Sequence, residues 1–287
     1  GSSRDGIPAP KRYSDIAGTG VGMLYFDRKI IYESEYFTVD GQMRYRLNAY
    51  DPTNNHFQTI LEFDFQPSYF TLQKDVIAVA ETIASSREGI VHFFDLNGNE
   101  KKVIKFGADV VNITNNGNDI IIYCVGCLYG VDIDTLEQRT LVQRENTEFV
   151  YVNDNTYSYC SIDAEELEKE IPQVHSGIID NLSDTELFGL DNAIIDYYDD
   201  ENIYTTTLEN KVKYRIYDWN GNLVDEIIPS ETLGVSDGAL PIAYHEMDYS
   251  SIVRVWNEQL IAYHFNKSEI ELLSCSLETH ACEFLKS

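Results

Sequence analysis

Apolar residues in this chain come in short runs rich in Val, Ile, Tyr and Phe, each closed by a polar cluster. Runs of that length and composition fit pleated strands better than helices. The clearest pair is Lys213 to Tyr217 and Leu223 to Ile228, joined through Asp218-Trp219-Asn220-Gly221-Asn222. The glycine can take the positive φ that a tight turn requires, so the stretch reads as a hairpin. Phe93-Phe94-Asp95-Leu96-Asn97-Gly98-Asn99, followed by the run Lys102 to Phe106, is a second copy. Weaker copies centre on Asp51, Asp132 and Asp180, and Ser276 holds a sixth position without the aspartate.

The anchors at 51, 95, 132, 180, 218 and 276 lie 44, 37, 48, 38 and 58 residues apart. Repeats of about 40 to 45 residues, each worth four short strands, mark propeller blades. Four-run repeats extend from Met23 to Phe63, Ser68 to Phe106, Val110 to Val142 and Ala193 to Ile228. A fourth repeat, Phe149 to Leu190, is interrupted at 163–173, and the sixth, Ser251 to Lys286, follows an insertion at 230–250. Removing about ten and about twenty residues brings the two long intervals to roughly 38 each. Asp163 to Pro172 combines strong helix formers with a terminal Pro, so one or two helical turns are expected there. A two-sheet sandwich with regular turns is the competing architecture.

On this blade pattern and its Asp-rich turns, the chain resembles bacterial six-bladed β-propellers over nearly its whole length. The expected fold class is all-β: a propeller of six four-stranded blades over residues 19–287, preceded by a flexible tether at 1–18. A seventh blade built from the second insertion stays open, as does ring closure by a strand near Lys11 to Ile16. No subfamily signature is complete, since a Trp-Asp strand ending and a Ser-x-Asp-x-Gly-x-Thr-Trp box are both missing. The resemblance implies that loops from second to third strand, and from fourth strand to the next blade, share one face. Both insertions then fall on that face, with the Asn-Gly turns opposite, and loop elaboration is where function is grafted onto a scaffold.

Charge narrows the partners. Lys and Arg number 21 against 48 Asp and Glu, a formal net charge of −27. Such a surface repels nucleic-acid phosphates and anionic lipid, so neither is an expected partner. It suits cations, cationic peptides or neutral sugars, and it also serves plain solubility. No run of about 18 apolar residues exists to span a membrane. The stretch Gly1 to Pro10 is polar with Pro and Gly, like a tether behind a removed signal or lipid anchor. That reading places the protein extracellularly or in the cell envelope, as a lipoprotein; a cloning scar at Gly1 fits equally.

The insertion-bearing face carries the candidate chemistry. Tyr244-His245-Glu246-Met247-Asp248-Tyr249 offers His, Glu and Asp for metal binding or proton transfer, but lacks the His-Glu-x-x-His spacing of zinc proteases. Glu165, Glu166, Glu168 and Glu170 lie in the first insertion, with Arg87 and Glu88 on the corresponding loop of the second blade. Clustered carboxylates beside aromatics can hold calcium or a polyhydroxylated ligand, although a solvated acidic face explains them as well. The expected ligand-binding set is therefore Arg87, Glu88, Glu165, Glu166, Tyr244, His245, Glu246, Asp248 and Tyr249. No cofactor is expected, with calcium left open as an alternative. His56 and His280 are expected in turns, His92 and His264 within strands, and His175 at a strand start. None pairs with a nucleophilic Ser or Cys in a known arrangement, and no phosphate-cradling loop is present.

Five cysteines speak to architecture. Cys275 and Cys282 flank the last hairpin, and a disulfide there would pin the final strand, given an oxidising compartment. Cys124-Val125-Gly126-Cys127 sits on a hairpin tip, without the helix N-terminus that lowers thiol pKa in redox enzymes. Cys160 reads as a buried strand residue.

These observations favour an exported, non-catalytic binding module of a bacterial cell surface, taking a peptide, protein or glycan on the insertion-bearing face. The alternative is a propeller enzyme such as a calcium-dependent lactonase or a carbohydrate lyase or hydrolase. At the starts of the innermost strands only Asp109 and Glu148 are acidic, which is thin for a metal cage. A third reading is a spacer in a surface assembly.

Overall fold

The computed structural model describes residues 21–27, 30–51, 56–81, 88–162, 173–207, 212–233, 249–266 and 269–284. They form two compact units that meet in sequence between Glu145 and Asn146. The first unit holds three antiparallel four-stranded sheets. These are β1 (Val21–Asp27), β2 (Ile30–Val39), β3 (Gln42–Asp51) and β4 (His56–Phe63); β5 (Pro67–Gln73), β6 (Val76–Glu81), β7 (Gly89–Asp95) and β8 (Glu100–Phe106); and β9 (Val110–Asn116), β10 (Asp119–Cys124), β11 (Cys127–Asp132) and β12 (Gln138–Gln143). The second unit repeats the plan. Its sheets are β13 (Thr147–Asn153), β14 (Thr156–Ile162), β15 (Val174–Asp180) and β16 (Thr185–Asp191); β17 (Ala193–Tyr198), β18 (Asn202–Thr207), β19 (Tyr214–Asp218) and β20 (Leu223–Ile227); and, after a short helix α1 (Pro229–Leu233), β21 (Tyr249–Trp256), β22 (Gln259–Asn266), β23 (Glu269–Ser276) and β24 (Cys282–Phe284). Within every sheet, consecutive strands are neighbours.

The sequence dictates which strands sit deepest. Val76-Ile77-Ala78-Val79-Ala80 and Ile120-Ile121-Ile122-Tyr123-Cys124 are unbroken apolar runs, and residues 77–80 and 120–124 are buried on both faces. For β6, the second of three sheets in its unit, continuous burial means another sheet lies on each side. The fourth strands are more exposed, and β8 alternates, with only Ile104 and Phe106 buried. Core clusters accordingly form between consecutive sheets. Val91, Phe93 and Ile104 meet Ile113, Ile120 and Ile122 in the first unit. Tyr214, Ile216 and Ile227 meet Ile252, Leu260 and Leu273 in the second. Each fully buried Ile or Leu contributes about 1.5 to 3 kcal/mol of transfer free energy, so every sheet depends on its neighbour for a core.

The repeated aspartates have a physical role. Asp95, Asp132, Asp180 and Asp218 each end the third strand of a sheet. Asp218 Oδ1 accepts the backbone N–H groups of Asn220 and Asn222 at 2.9 and 2.8 Å. Asp95 does the same for Asn97 and Asn99, both at 2.9 Å. Asp132 takes the N–H groups of Asp134 and Thr135, and Asp180 that of Leu182. Ser276 substitutes its hydroxyl, which accepts the Thr279 N–H at 3.2 Å. The side chain thus closes the turn that the backbone alone leaves open. Gly98 and Gly221 occupy the left-handed positions these turns require, at φ 83° and 84°.

Several boundaries differ from the sequence reading. Tyr249 and Ser250 belong to β21 rather than to the second insertion, and His56 begins β4 instead of lying in a turn. Among the described residues the helix is α1, with Pro229 at its first position and Glu231 in its first turn. Both are ordinary helix-start signals. The helical turns expected over 163–172, the tether and the N-terminal closing strand lie outside the described residues.

Candidate functional site

Connections are unequal at the two ends of the second unit's blades. At one end, each first and second strand is joined by a tight turn, as in Asn153↔Thr156 and Trp256↔Gln259, and each third strand by its side-chain-capped turn. At the other end lie the long connections 163–173, 208–213 and 228–248. In the first unit the corresponding end of its second sheet carries the connection 82–88. Among the expected ligand-binding residues, Glu88 is described and exposed. Arg87, Glu165, Glu166, Tyr244, His245, Glu246 and Asp248 lie outside the described residues, and Tyr249 is described only as the first residue of β21.

Two histidines are tied to carboxylates on both ring nitrogens. His92, on β7, reaches Glu100 at 2.8 Å and Glu81 at 3.0 Å, and stacks on Phe65 with ring centroids 4.0 Å apart. His175, on β15, reaches Asp191 through Nδ1 at 2.8 Å and Glu186 through Nε2 at 3.2 Å. Glu186 also accepts the Tyr159 hydroxyl at 2.7 Å. Hydrogen bonding to Asp191, with a further contribution from Glu186, raises the His175 pKa above its ordinary value despite partial burial. An imidazole held on both sides is committed to structure and offers no open lone pair to a substrate. His280 reaches Asp225 at 2.9 Å, joining the last hairpin to the preceding sheet.

The cysteines divide by register. Cys275 and Cys282 are paired across β23 and β24 and form a disulfide, with Cα atoms 4.0 Å apart. The strand they hold is only three residues long, and Thr232 Oγ1 on α1 accepts the Cys282 N–H at 3.0 Å. Cys124 and Cys127 are likewise paired across the β10–β11 hairpin, but both thiols are free. Burial pushes the Cys124 thiol up to about 12, and does the same to Cys160. Thiols at that value are poor nucleophiles at neutral pH. Among the described residues, no three His, Cys, Asp or Glu side chains converge as a metal site, and Asp109 and Glu148 belong to different units.

An arrangement that sequence reasoning missed lies on the first strands of the second unit. Tyr151, Tyr197 and Arg254 each follow a register shift, at Phe149/Tyr151, Ile195/Tyr197 and Ile252/Arg254. The rings of Tyr151 and Tyr197 lie 5.1 Å apart, and Tyr197 continues to Tyr204 at 5.6 Å. Burial is the leading cause of the raised pKa values of all three phenols, opposed for Tyr151 and Tyr197 by the nearby Arg254 charge.

The chain matches no protein-family model and no curated protein sequence. It is similar in structure to the β-propeller domain of the Trilobed protease from Pyrococcus furiosus, with a TM-score of 0.60 at 9% identity, covering 93% of this chain and 84% of that one. It is also similar to KlAtg21, solved in complex with the coiled coil of AgAtg16, with a TM-score of 0.54 at 12% identity over 91% and 82% of the two chains. A third similar structure is prolyl oligopeptidase B from Galerina marginata, with a TM-score of 0.54 at 12% identity over 96% of this chain and 43% of that one. Together with six antiparallel four-stranded sheets, these likenesses define an all-β propeller of six blades. At such identities the likeness concerns the fold, and function has to be argued from sites.

Proposed function

We propose that this protein is an exported, non-catalytic binding module of a cell surface, a single propeller domain over residues 19–287 behind an N-terminal tether. It takes a protein, peptide or glycan on the end of the blades that carries the long connections. The observation that carries this reading is the asymmetry of the second unit, with tight turns at one blade end and the connections 163–173, 208–213 and 228–248 at the other. Binding residues concentrate in such loops on a rigid scaffold. The commitment of His92 and His175 to carboxylate pairs, and the buried, protonated Cys124 and Cys160, support binding over catalysis. A fold neighbour seen in complex with a coiled coil offers a precedent for protein ligands.

The test is a screen of glycans and peptides against the full chain, repeated with 163–172, then 234–248, replaced by Gly-Ser linkers. Loss of the selected ligand in either replacement, with the unfolding midpoint retained, supports the reading. Ligands that bind both replacements unchanged refute it. Unfolding with excess calcium and with chelator discriminates the enzyme alternative, because a midpoint raised by calcium reports an ion bound to the native state.

A further inference from the structure

The second unit carries a separate feature at the opposite blade end. Tyr151, Tyr197 and Arg254 occupy one register position on three consecutive first strands. Tyr151 stands two residues before Asn153 and Arg254 two before Trp256, the last paired residues ahead of two-residue hairpin turns. Tyr197 stands two before Asp199, whose N–H bonds to Asn202 across the corresponding turn. In the first unit that position is held by Tyr25, Thr71 and Thr114, ahead of Asp27, Gln73 and Asn116, and the register shifts fall further from the turns. A tyrosine recurs there once in the first unit, but the row of two tyrosines and an arginine belongs to the second.

Arg254 is half-buried, and among the described residues its guanidinium makes no hydrogen bond or ion pair. Leaving a guanidinium partly desolvated and unpaired is costly, more so to explain in a chain with 48 acidic residues available. The acids that act on the neighbouring phenols are Asp199 and Asp154. Asp199 is already engaged, since its Oδ1 caps the β17–β18 turn at Glu201 and Asn202 and its Oδ2 takes the Tyr204 hydroxyl. The hydroxyls of Tyr151 and Tyr197 make no hydrogen bond among the described residues either, and neither is sealed from solvent. Raised phenol pKa values keep both protonated, as donors.

Three donors without acceptors among the described residues, beside tilted, packed aromatic rings, define a ligand by its complement. We propose that Arg254, Tyr151 and Tyr197 form a receptor for a single carboxylate at the end of an otherwise uncharged ligand, distinct from the loop-bearing end of the blades. A guanidinium grips a carboxylate with two parallel bonds, and ring faces pack against the apolar part behind it. The net charge of −27 argues against polyanions and phosphates, which the rest of the surface repels. A peptide C-terminus and an acidic sugar share this chemistry.

Calorimetric titration of the full chain separates the sources. One arm compares N-acetyl-Ala-Phe carrying a free carboxylate with its C-terminal amide, and the other compares glucuronate with glucose. An acid that binds about tenfold or more tightly than its uncharged counterpart supports the receptor and names the source. Arg254→Met is expected to abolish that binding, and Tyr197→Phe to weaken it several-fold. Arg254→Met should also leave the unfolding midpoint of the free protein unchanged or raised, because it removes an unpaired desolvated charge. The proposal is overturned if neither acid binds at about 10 mM, if binding survives Arg254→Met, or if that variant lowers the midpoint.

Discussion

The carboxylate of Asp196 accepts the backbone N–H of Ile252 at 3.1 Å, across 56 residues of sequence. Asp196 is the residue set aside by the register shift in β17, and the same oxygen accepts the Thr206 hydroxyl. A bulge frees one side chain from the ladder and aims it elsewhere; here it joins the fifth blade to the first strand of the sixth. Asp196 is only 7% exposed, so its loss strands buried donors. Asp196→Ala is expected to cost about 2 to 4 kcal/mol in chemical unfolding, and Asp196→Asn, which keeps an accepting oxygen, clearly less. Equal losses in the two variants would contradict the acceptor role.

The Cys275–Cys282 disulfide closes a loop of seven-residue separation. The chain-entropy account gives such a bridge about 2 to 2.5 kcal/mol. Reduction, or Cys275→Ser with Cys282→Ser, should lower stability by that amount and raise amide exchange first in β24. Unchanged exchange in β24 would show that Thr232 and α1 suffice to hold it.

Gly89 and Gly107 make a matched pair. A Cβ on Gly89 would stand 2.6 Å from the Ala108 carbonyl oxygen, a backbone atom unable to retreat, whereas one on Gly107 meets nothing within 4 Å. Gly89→Ala should destabilise by about 1 to 3 kcal/mol through overpacking. Gly107→Ala should be neutral or stabilising, since it restricts the unfolded chain. Thermal unfolding of both variants checks the contrast.

Acid should loosen the capped turns together. Hydrogen bonds from Asn222 and Asn99 hold the Asp218 and Asp95 carboxyls below their ordinary pKa, and those from Thr135 and Ser183 do so for Asp132 and Asp180. A lowered folded-state pKa contributes stability that is present above the unfolded value and lost as pH falls through the folded one. The unfolding midpoint should therefore decline below about pH 4. Asp218→Ala should flatten that decline as well as lower the midpoint at neutral pH. A slope identical to that of the parent would remove Asp218 from the account.

His175 acts with the opposite sign. Its raised pKa contributes stability fully present below the unfolded value of 6.5 and lost as pH rises through the folded one. The imidazole is 42% exposed, so solvent screening keeps the effect small. NMR titration should place His175 above 6.5, and Asp191→Asn should bring it down. A His175 titrating at or below the ordinary value would refute the pairing.

The expected strand positions, the capped turns and the last disulfide lie in local chemistry. Val76 to Ala80 and Ile120 to Cys124 are short, continuously apolar runs of the kind buried strands require, and an Asp two residues ahead of an Asn-Gly step can close a turn without help from distant residues. Alignment of Tyr151, Tyr197 and Arg254 was not legible. Their intervals of 46 and 57 residues carry no pattern until hairpin register and bulge position bring them into one row. Asp196 was equally hidden, because an aspartate within a strand-like run declares neither its bulge nor the donor it will meet. Sequence by itself determined the blade and its turns, since those depend on contacts between near neighbours in the chain. Tertiary structure alone decided which side chains face one another across blades, because that depends on register, and a single bulged residue turns every following side chain to the other face.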